Sequence, residues 1–176
     1  MKLNPLAIAA ITLMVGASAH ADMYSASGTI ALTDPTFNRP LTLTSLSSVG
    51  TAVHYNQLVI GFATPGSYDF RMMATPAGSF DTFLALYSGL FNPAAPLTNL
   101  LALNDDFTNI ASGSGFTFTL QPNQFYSVIS TAFSNTGTGS YLTTVTSAVP
   151  ETATYGLMAL GLAFVGAAVR RRTTRT

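Results

Sequence analysis

The stretch GFTFTLQPNQFYSVISTAF, Gly115–Phe133, decides the fold class of this chain. Its first part, FTFTL, alternates apolar residues with threonines. A period of two residues predicts a β-strand with one buried face and one solvated face. The segment QPNQ that follows carries turn-forming Pro and Asn, and Phe125–Phe133 is again rich in β-branched and aromatic residues. The stretch therefore predicts two consecutive strands joined by a turn.

The same pattern continues on both sides of this stretch. The other predicted strands are Tyr24–Leu32, Leu41–Leu46, Tyr55–Ala63, Ser67–Ala74, Phe80–Ser88, Leu97–Asp105 and Ser140–Thr146. Segments such as DPTFNRP, TPAGS and SNTGTG separate them and carry turn residues. No helical period with caps precedes Thr152. Many short strands with regular turns predict an all-β, jelly-roll-like antiparallel β-sandwich.

The first 21 residues have the layout of a secretory signal peptide. Lys2 supplies a positive start, Leu6–Val15 is an apolar run interrupted only by a threonine, and Ala19 and Ala21 flank a small-x-small cleavage site. The apolar run is too short to span a bilayer. We therefore expect residues 1–21 to direct export and then to be removed, rather than to form a buried helix.

The last 29 residues resemble a membrane anchor. Thr152–Val169 contains no charge, and at about 1.5 Å per residue a helix of this length reaches about 27 Å, close to a bilayer core. The arginines that follow stay on the cytoplasmic side by the positive-inside rule, which leaves the preceding domain outside. An amphipathic surface helix and a nucleic-acid-binding tail are the weaker alternatives. These anchoring arginines are Arg170, Arg171, Arg172 and Arg175.

Between the two ends, residues 22–147 form the expected exported domain. Its basic side chains are Arg39 and Arg71, and they are outnumbered by aspartates, so the domain is acidic and a poor partner for nucleic acid. The chain has no cysteine, and Lys2 is its one lysine. Thiol catalysis, Schiff-base chemistry and the P-loop are thereby excluded. We expect no enzyme here.

Acidic residues at strand ends are the candidate metal ligands. Asp81 opens one predicted strand, and Asn104 with Asp105 and Asp106 closes a neighbouring one. Calcium prefers such carboxylate and carbonyl oxygens, so Asp81, Asp105 and Asp106 are a possible calcium site. The alternative is that these side chains form Asx turns. A hydrolase that uses Asp81 and Asp105 as paired carboxylates is a third and weaker reading.

Histidine and tyrosine offer little further chemistry. His54 has no second histidine beside it in the exported domain and no nucleophile-elbow motif, so we interpret it as a polar residue at a strand edge. The tyrosines could bind sugars by stacking or pack on the core with the hydroxyl at the rim, and packing is the favoured reading. They are Tyr24, Tyr55, Tyr68, Tyr87, Tyr126 and Tyr141.

Val149-Pro150-Glu151, the apolar segment and the arginine cluster Arg170–Arg172 together resemble the PEP-CTERM sorting signal over residues 149–176. Thr152 stands where that motif has its second proline. The resemblance implies a Gram-negative envelope protein that is held in the inner membrane and then processed by an exosortase-type membrane enzyme. It also implies delivery to the cell surface or matrix, often beside exopolysaccharide.

The segments FDTFLALYSG, LALNDD, FTFTLQPNQFYSVIST and GTGSYLTTV resemble bacterial pre-peptidase C-terminal β-sandwich domains over Ser67–Thr146. That resemblance implies a non-catalytic accessory fold, sometimes with calcium or surface binding, and its acidic positions correspond to Asp81, Asp105 and Asp106. Taken together, we expect an exported, non-catalytic envelope or matrix protein in contact with exopolysaccharide. The alternative is a calcium- or glycan-binding surface module.

Overall fold

The computed structural model of the chain describes residues 23–107, 112–147, 156 and 160–163. The strands are β1 Met23–Ile30, β2 Thr36–Phe37, β3 Pro40–Thr42, β4 Ser45–Leu46, β5 Val53–Gly61, β6 Gly66–Thr75, β7 Thr82–Ser88, β8 Leu100–Asn104, β9 Gly113–Leu120, β10 Phe125–Ala132 and β11 Gly139–Ser147.

The strands form two antiparallel sheets that pack on each other. The four-stranded sheet has the order β1-β11-β6-β9, and the five-stranded sheet has the order β2-β5-β10-β7-β8. Apart from the neighbours β7 and β8, successive long strands alternate between the two sheets, which is the arrangement of a jelly roll. The prediction of an all-β antiparallel sandwich is thus confirmed. Strands β9 and β10 of the opening stretch lie in different sheets, so the turn QPNQ is a corner of the sandwich.

The main core fills the space between the two sheets. It is lined by the inward-facing residues of every long strand except the edge strand β8, whose residues pack against it while staying partly exposed. Phe70 and Met72 of β6 face Leu84 and Leu86 of β7, and all four side chains are fully buried. The alternation in β9 is as predicted, since Leu120 is buried while Thr117 and Thr119 are exposed.

A second apolar cluster covers one part of the outer face of the five-stranded sheet. Phe37 of β2 and Phe91, from the loop after β7, close over Phe83, Tyr87 and Ile129. Phe37 and Phe91 meet edge to face, with ring centroids 5.0 Å apart. Strands β7 and β10 are therefore buried on both faces, which explains why their sequences are continuous runs rather than alternating ones.

Two pairs of buried hydroxyls bridge the sheets through this core. Ser114 of β9 donates to Thr82 of β7 at 3.0 Å, and Ser130 of β10 lies 2.8 Å from Thr143 of β11. All four residues are almost completely buried. Each hydroxyl thus has a partner, as a polar group inside a protein requires.

The prediction of one strand over Leu41–Leu46 is wrong. The segment folds back on itself as the hairpin β3–β4, and Leu41, Leu43 and Leu46 are exposed. The base of the hairpin is closed by the Arg39 amide, which donates to Gly50, and by the Ser47 amide, which donates to Arg39. The alternating pattern was present in the sequence, but within the described part of the chain no apolar layer covers these leucines.

Several predictions fall on the ends of the chain and lie outside the described residues. They concern the signal peptide, the sorting motif and the arginine stop: Ala19, Ala21, Val149, Pro150, Glu151, Arg170, Arg171 and Arg172. By its contacts, the body Ala21–Val149 forms one compact unit. Residues 160–163 are helical and exposed. Within the described residues, no helix has the length and apolarity that a membrane crossing needs.

Candidate functional site

The predicted acidic residues lie at one end of the five-stranded sheet. Asp81 directly precedes β7 and Asp105 directly follows β8, and these strands are antiparallel neighbours paired through Leu84 and Asn104. The Asn104 side-chain carbonyl accepts a hydrogen bond from the Gly115 amide at 3.2 Å, which fixes its orientation. The structure therefore places the acidic residues in the same region, while the Asn104 oxygen is already used to join β8 to β9.

Asp81 is a carboxylate with a buried and unpartnered oxygen. Its Oδ1 is buried and has no hydrogen-bond partner, and its backbone carbonyl accepts from the Phe133 amide at 3.0 Å. Burial raises the pKa of Asp81, and the negative charges of Asp106 and Asp105 raise it further, against an opposing effect of Arg39. The carboxylates are close enough to repel one another, and Arg39 partly balances them.

Arg39 is the residue that sequence analysis did not connect with this region. Only 1% of its surface is exposed, and its guanidinium lies 4.6 Å from the Phe83 ring and 4.2 Å from the Phe133 ring. Its Nε donates to the Phe133 carbonyl at 2.7 Å, and one Nη donates to Pro40 at 3.1 Å. Burial lowers the pKa of Arg39, while Asp105 and Asp81 act in the opposite direction. The sequence contained one signal for this role. Arg39 lies among turn residues, and Arg71 is the one other basic side chain of the domain.

The arrangement of these groups limits what the acidic end can do. Among the described residues, no group of three or more His, Cys, Asp or Glu side chains is placed to hold a metal ion. The guanidinium of Arg39 already supplies positive charge to Asp81 and Asp105. Calcium binding therefore stays a prediction. Arg39 makes its hydrogen bonds to the carbonyls of Phe133 and Pro40, so it acts on Asp81 and Asp105 through its charge at a distance.

His54 and most tyrosines are used structurally. The Nδ1 of His54 lies 2.8 Å from the Asp34 carbonyl, and the His54 carbonyl accepts from Thr131 at 2.6 Å. Tyr87 is fully buried and donates to the Pro96 carbonyl at 3.0 Å, and burial raises its pKa. Most of the tyrosines thus pack on the core. Tyr24 instead lies at the edge of the sandwich, with 36% of its surface exposed.

Tyr24 borders an open groove of about 600 Å³ at the other end of the outer face of the five-stranded sheet. Phe125 and Val59, both exposed, line it together with Gly61, and Asn123 and Gln124 also belong to its lining. The second apolar cluster stops short of this region. None of the described residues that line the groove carries a charge.

The outer face of the four-stranded sheet is covered mainly by hydroxyl side chains, and three exposed apolar side chains, Met23, Met73 and Leu142, lie among them. Its exposed or half-exposed hydroxyl side chains are Ser25, Ser27 and Thr29 of β1, Ser67 and Thr75 of β6, Thr117 and Thr119 of β9, and Ser140, Thr144 and Thr146 of β11. The two charges on this face, Arg71 and Asp69, lie 3.4 Å apart, and Arg71 also stacks on Phe107. Since Arg39 is buried, no arginine of the described residues is free on the surface.

The distant structural matches of this chain include two bacterial domains. No family model and no curated protein matches the chain. It is similar to the pre-peptidase C-terminal domain of a collagenase from Bacillus anthracis, with 13% identity, coverage of 69% of this chain and 87% of that one, and a TM-score of 0.41. It is also similar to the K1 cleaved adhesin domain of Lys-gingipain from Porphyromonas gingivalis, with 15% identity, 73% and 99% coverage, and a TM-score of 0.36. Similarity at this level identifies no ligand and no activity.

Proposed function

We propose that this chain is an exported, non-catalytic module of the cell envelope or extracellular matrix that associates with exopolysaccharide. Its N-terminal segment directs export, and its PEP-CTERM-like tail holds it in the inner membrane until an exosortase-type enzyme processes it. The sandwich then remains at the cell surface or in the matrix.

The observation that carries this proposal is the hydroxyl-covered outer face of the four-stranded sheet. A hydroxyl both donates and accepts hydrogen bonds, so rows of serine and threonine can exchange water for the hydroxyls of a hydrated polymer. The charges of Asp69 and Arg71 on this face neutralise each other. Among its described residues, the face has no unpaired positively charged side chain. Such a surface favours a neutral or weakly charged polymer over nucleic acid.

Sorting is tested by expressing the full chain in cells with and without an exosortase-type enzyme. Mass spectrometry of the purified protein should find the tail removed only when the enzyme is present. Pro150→Ala should reduce processing, and Thr152→Pro, which supplies the second proline of the motif, should increase it. An intact tail in cells that carry the enzyme contradicts the sorting part of the proposal.

Association with the matrix is tested by fractionation of polysaccharide-producing cells and of otherwise identical cells that make none. The processed protein should sediment with the polysaccharide in the first case and be recovered in the soluble extracellular fraction in the second. Equal distribution in the two strains contradicts the polysaccharide part, whatever the sorting result.

Calcium binding is the second candidate, and the unpartnered Oδ1 of Asp81 near Asp105 and Asp106 favours it. Isothermal titration of the full chain in detergent with calcium alone tests it. Binding heat that disappears in both Asp81→Asn and Asp106→Asn supports this candidate. No heat, and no change in melting temperature with calcium, contradicts it.

A further inference from the structure

The groove beside Gly61 combines an aromatic surface with residues that carry side-chain amides. Phe125 pairs with Gly61 in the ladder between β10 and β5, and its ring lies over the glycine, since a Cβ at Gly61 would stand 3.3 Å from the ring atom Cδ1. The outward side of the ring remains open, because 69% of Phe125 is exposed. The ring thus covers Gly61 with one side, and its other side is a flat aromatic wall of the groove.

Phe125 is held in place by its neighbours. Its carbonyl accepts from the Gly89 amide at 2.8 Å, and the hydroxyl of Ser127, two residues further along β10, donates to the Gly89 carbonyl at 2.7 Å. The turn before it is fixed by the Asn123 amide, which donates to Phe62 at 3.0 Å. The backbone that carries the ring is therefore fixed, which lowers the entropy lost when a ligand binds.

The polar groups at the rim are also oriented. Asn123 has a left-handed φ of 58°, which directs the turn over the end of β5. Gln124 receives a hydrogen bond from Tyr126 on its side-chain carbonyl at 3.3 Å, so its NH₂ group is left to donate elsewhere. On the opposite wall, the Tyr24 hydroxyl donates to the Gly61 carbonyl at 2.7 Å.

These contacts favour one chemical class of ligand. An added peptide strand would need the backbone groups of β5, but the Gly61 carbonyl already accepts from Tyr24. The Asn56 side chain also donates to the Thr29 carbonyl, so β1 already lies beside β5. The lining has no charge for an ionic ligand. A pyranose ring offers an apolar face to an aromatic ring and hydroxyls to amides, and both are present here.

We propose that this groove is a subsite for an uncharged pyranose unit of a polysaccharide, which stacks on Phe125 and donates to or accepts from Asn123 and Gln124. The inference rests on the proposed function, because it names the sugar class and the place where the module would hold it. It is distinct from the hydroxyl-covered face, which lies on the other sheet.

Affinity electrophoresis of the full chain in detergent, in gels that contain dextran, mannan, a mixed-linkage β-glucan or alginate, tests the proposal. At least one neutral polymer should retard the native chain, and alginate should not. Phe125→Ala should weaken retardation tenfold or more, Phe125→Trp should preserve it, and Asn123→Gly, which keeps the left-handed turn, should weaken it several-fold. Leu90→Ala is the matched control, since that exposed apolar residue lies outside the groove lining.

Failure of the groove and failure of the polysaccharide function give different results. Retardation that Phe125→Ala leaves unchanged, or that Leu90→Ala weakens equally, overturns the groove and leaves the polysaccharide function standing. Retardation by alginate alone, or by no polymer, also overturns it. The fractionation experiment above then decides separately whether the module associates with the matrix. An unchanged melting temperature for Phe125→Ala shows that lost binding does not come from unfolding.

Discussion

Replacing Gly50 by alanine should destabilise the domain through Arg39. A Cβ at Gly50 would stand 2.5 Å from Nε, 2.6 Å from Cγ and 2.8 Å from Cδ of Arg39, all closer than real carbon atoms approach. Gly50 does not have a positive φ, so alanine is compatible with its backbone and the effect comes from the contact alone. Arg39 must therefore move.

Arg39 can move only by giving up its own interactions. Its Nε bond to Phe133 is a charged hydrogen bond, of a kind that contributes about 1.5–3 kcal/mol. Its contacts with the rings of Phe83 and Phe133 contribute about 1 kcal/mol more. Overpacking in proteins typically costs about 1–3 kcal/mol. We expect Gly50→Ala to lower the free energy of unfolding by about 2–3 kcal/mol, which corresponds to a melting temperature about 10 °C lower.

Urea unfolding followed by circular dichroism measures this effect, and two further variants serve as controls. Gly66→Ala is the matched control, because the nearest atom to a Cβ there is 3.6 Å away, and it should change stability by less than about 0.5 kcal/mol. In an Arg39→Ala background the clashing atoms are gone, so Gly50→Ala should then have almost no effect. The reasoning is refuted if Gly50→Ala matches Gly66→Ala, or if its effect is the same with and without Arg39.

Three further predictions concern other parts of the structure, and urea unfolding of the variants measures each. Ser114→Ala or Thr82→Val alone should cost about 1–2 kcal/mol because each leaves a buried hydroxyl unpaired, whereas the double variant should cost less than the sum; strict additivity would contradict the bridge. Tyr87→Phe should cost about 1–2 kcal/mol because it orphans the buried Pro96 carbonyl, and an unchanged midpoint would count against that bond. The raised native pKa of Asp81 means that its ionised form destabilises the fold above that pKa, so Asp81→Asn should be more stable than the native chain at pH 7 and lose this advantage as the pH falls toward 4. A constant difference across that range would exclude the assignment.

The sequence predicted the sandwich well where one face of a strand is wet. The threonines of β9 alternate with apolar residues because one side meets the core and the other meets water. It failed at Leu41–Leu46, where the same alternation forms an exposed hairpin, because the pattern cannot say whether an apolar layer lies opposite. Local patterns describe a strand by itself, whereas the partner layer depends on contacts with residues distant in the chain.

The candidate sites were harder to predict for the same reason. The strand ends that carry Asp81 and Asp105 do meet at one end of the sheet, as the antiparallel reading expected. The charge that balances them comes from Arg39, more than 40 residues earlier, and no spacing rule connects the two. Likewise, Gly61 and Phe125 become a groove only through their register across β5 and β10.

The buried charge of Arg39 can account for the aspartates at this end of the sheet without a metal ion. A guanidinium held between Phe83 and Phe133 with few hydrogen bonds is costly to bury, and nearby negative charge reduces that cost. Asp105 and Asp81 supply this negative charge at a distance. Burial disfavours the charged form of Asp81 itself. If this is the reason for the cluster, neutralising Asp105 should destabilise the native chain but not the Arg39→Ala variant. A calcium site predicts a different result, since the loss on Asp105→Asn would then appear only when calcium is present.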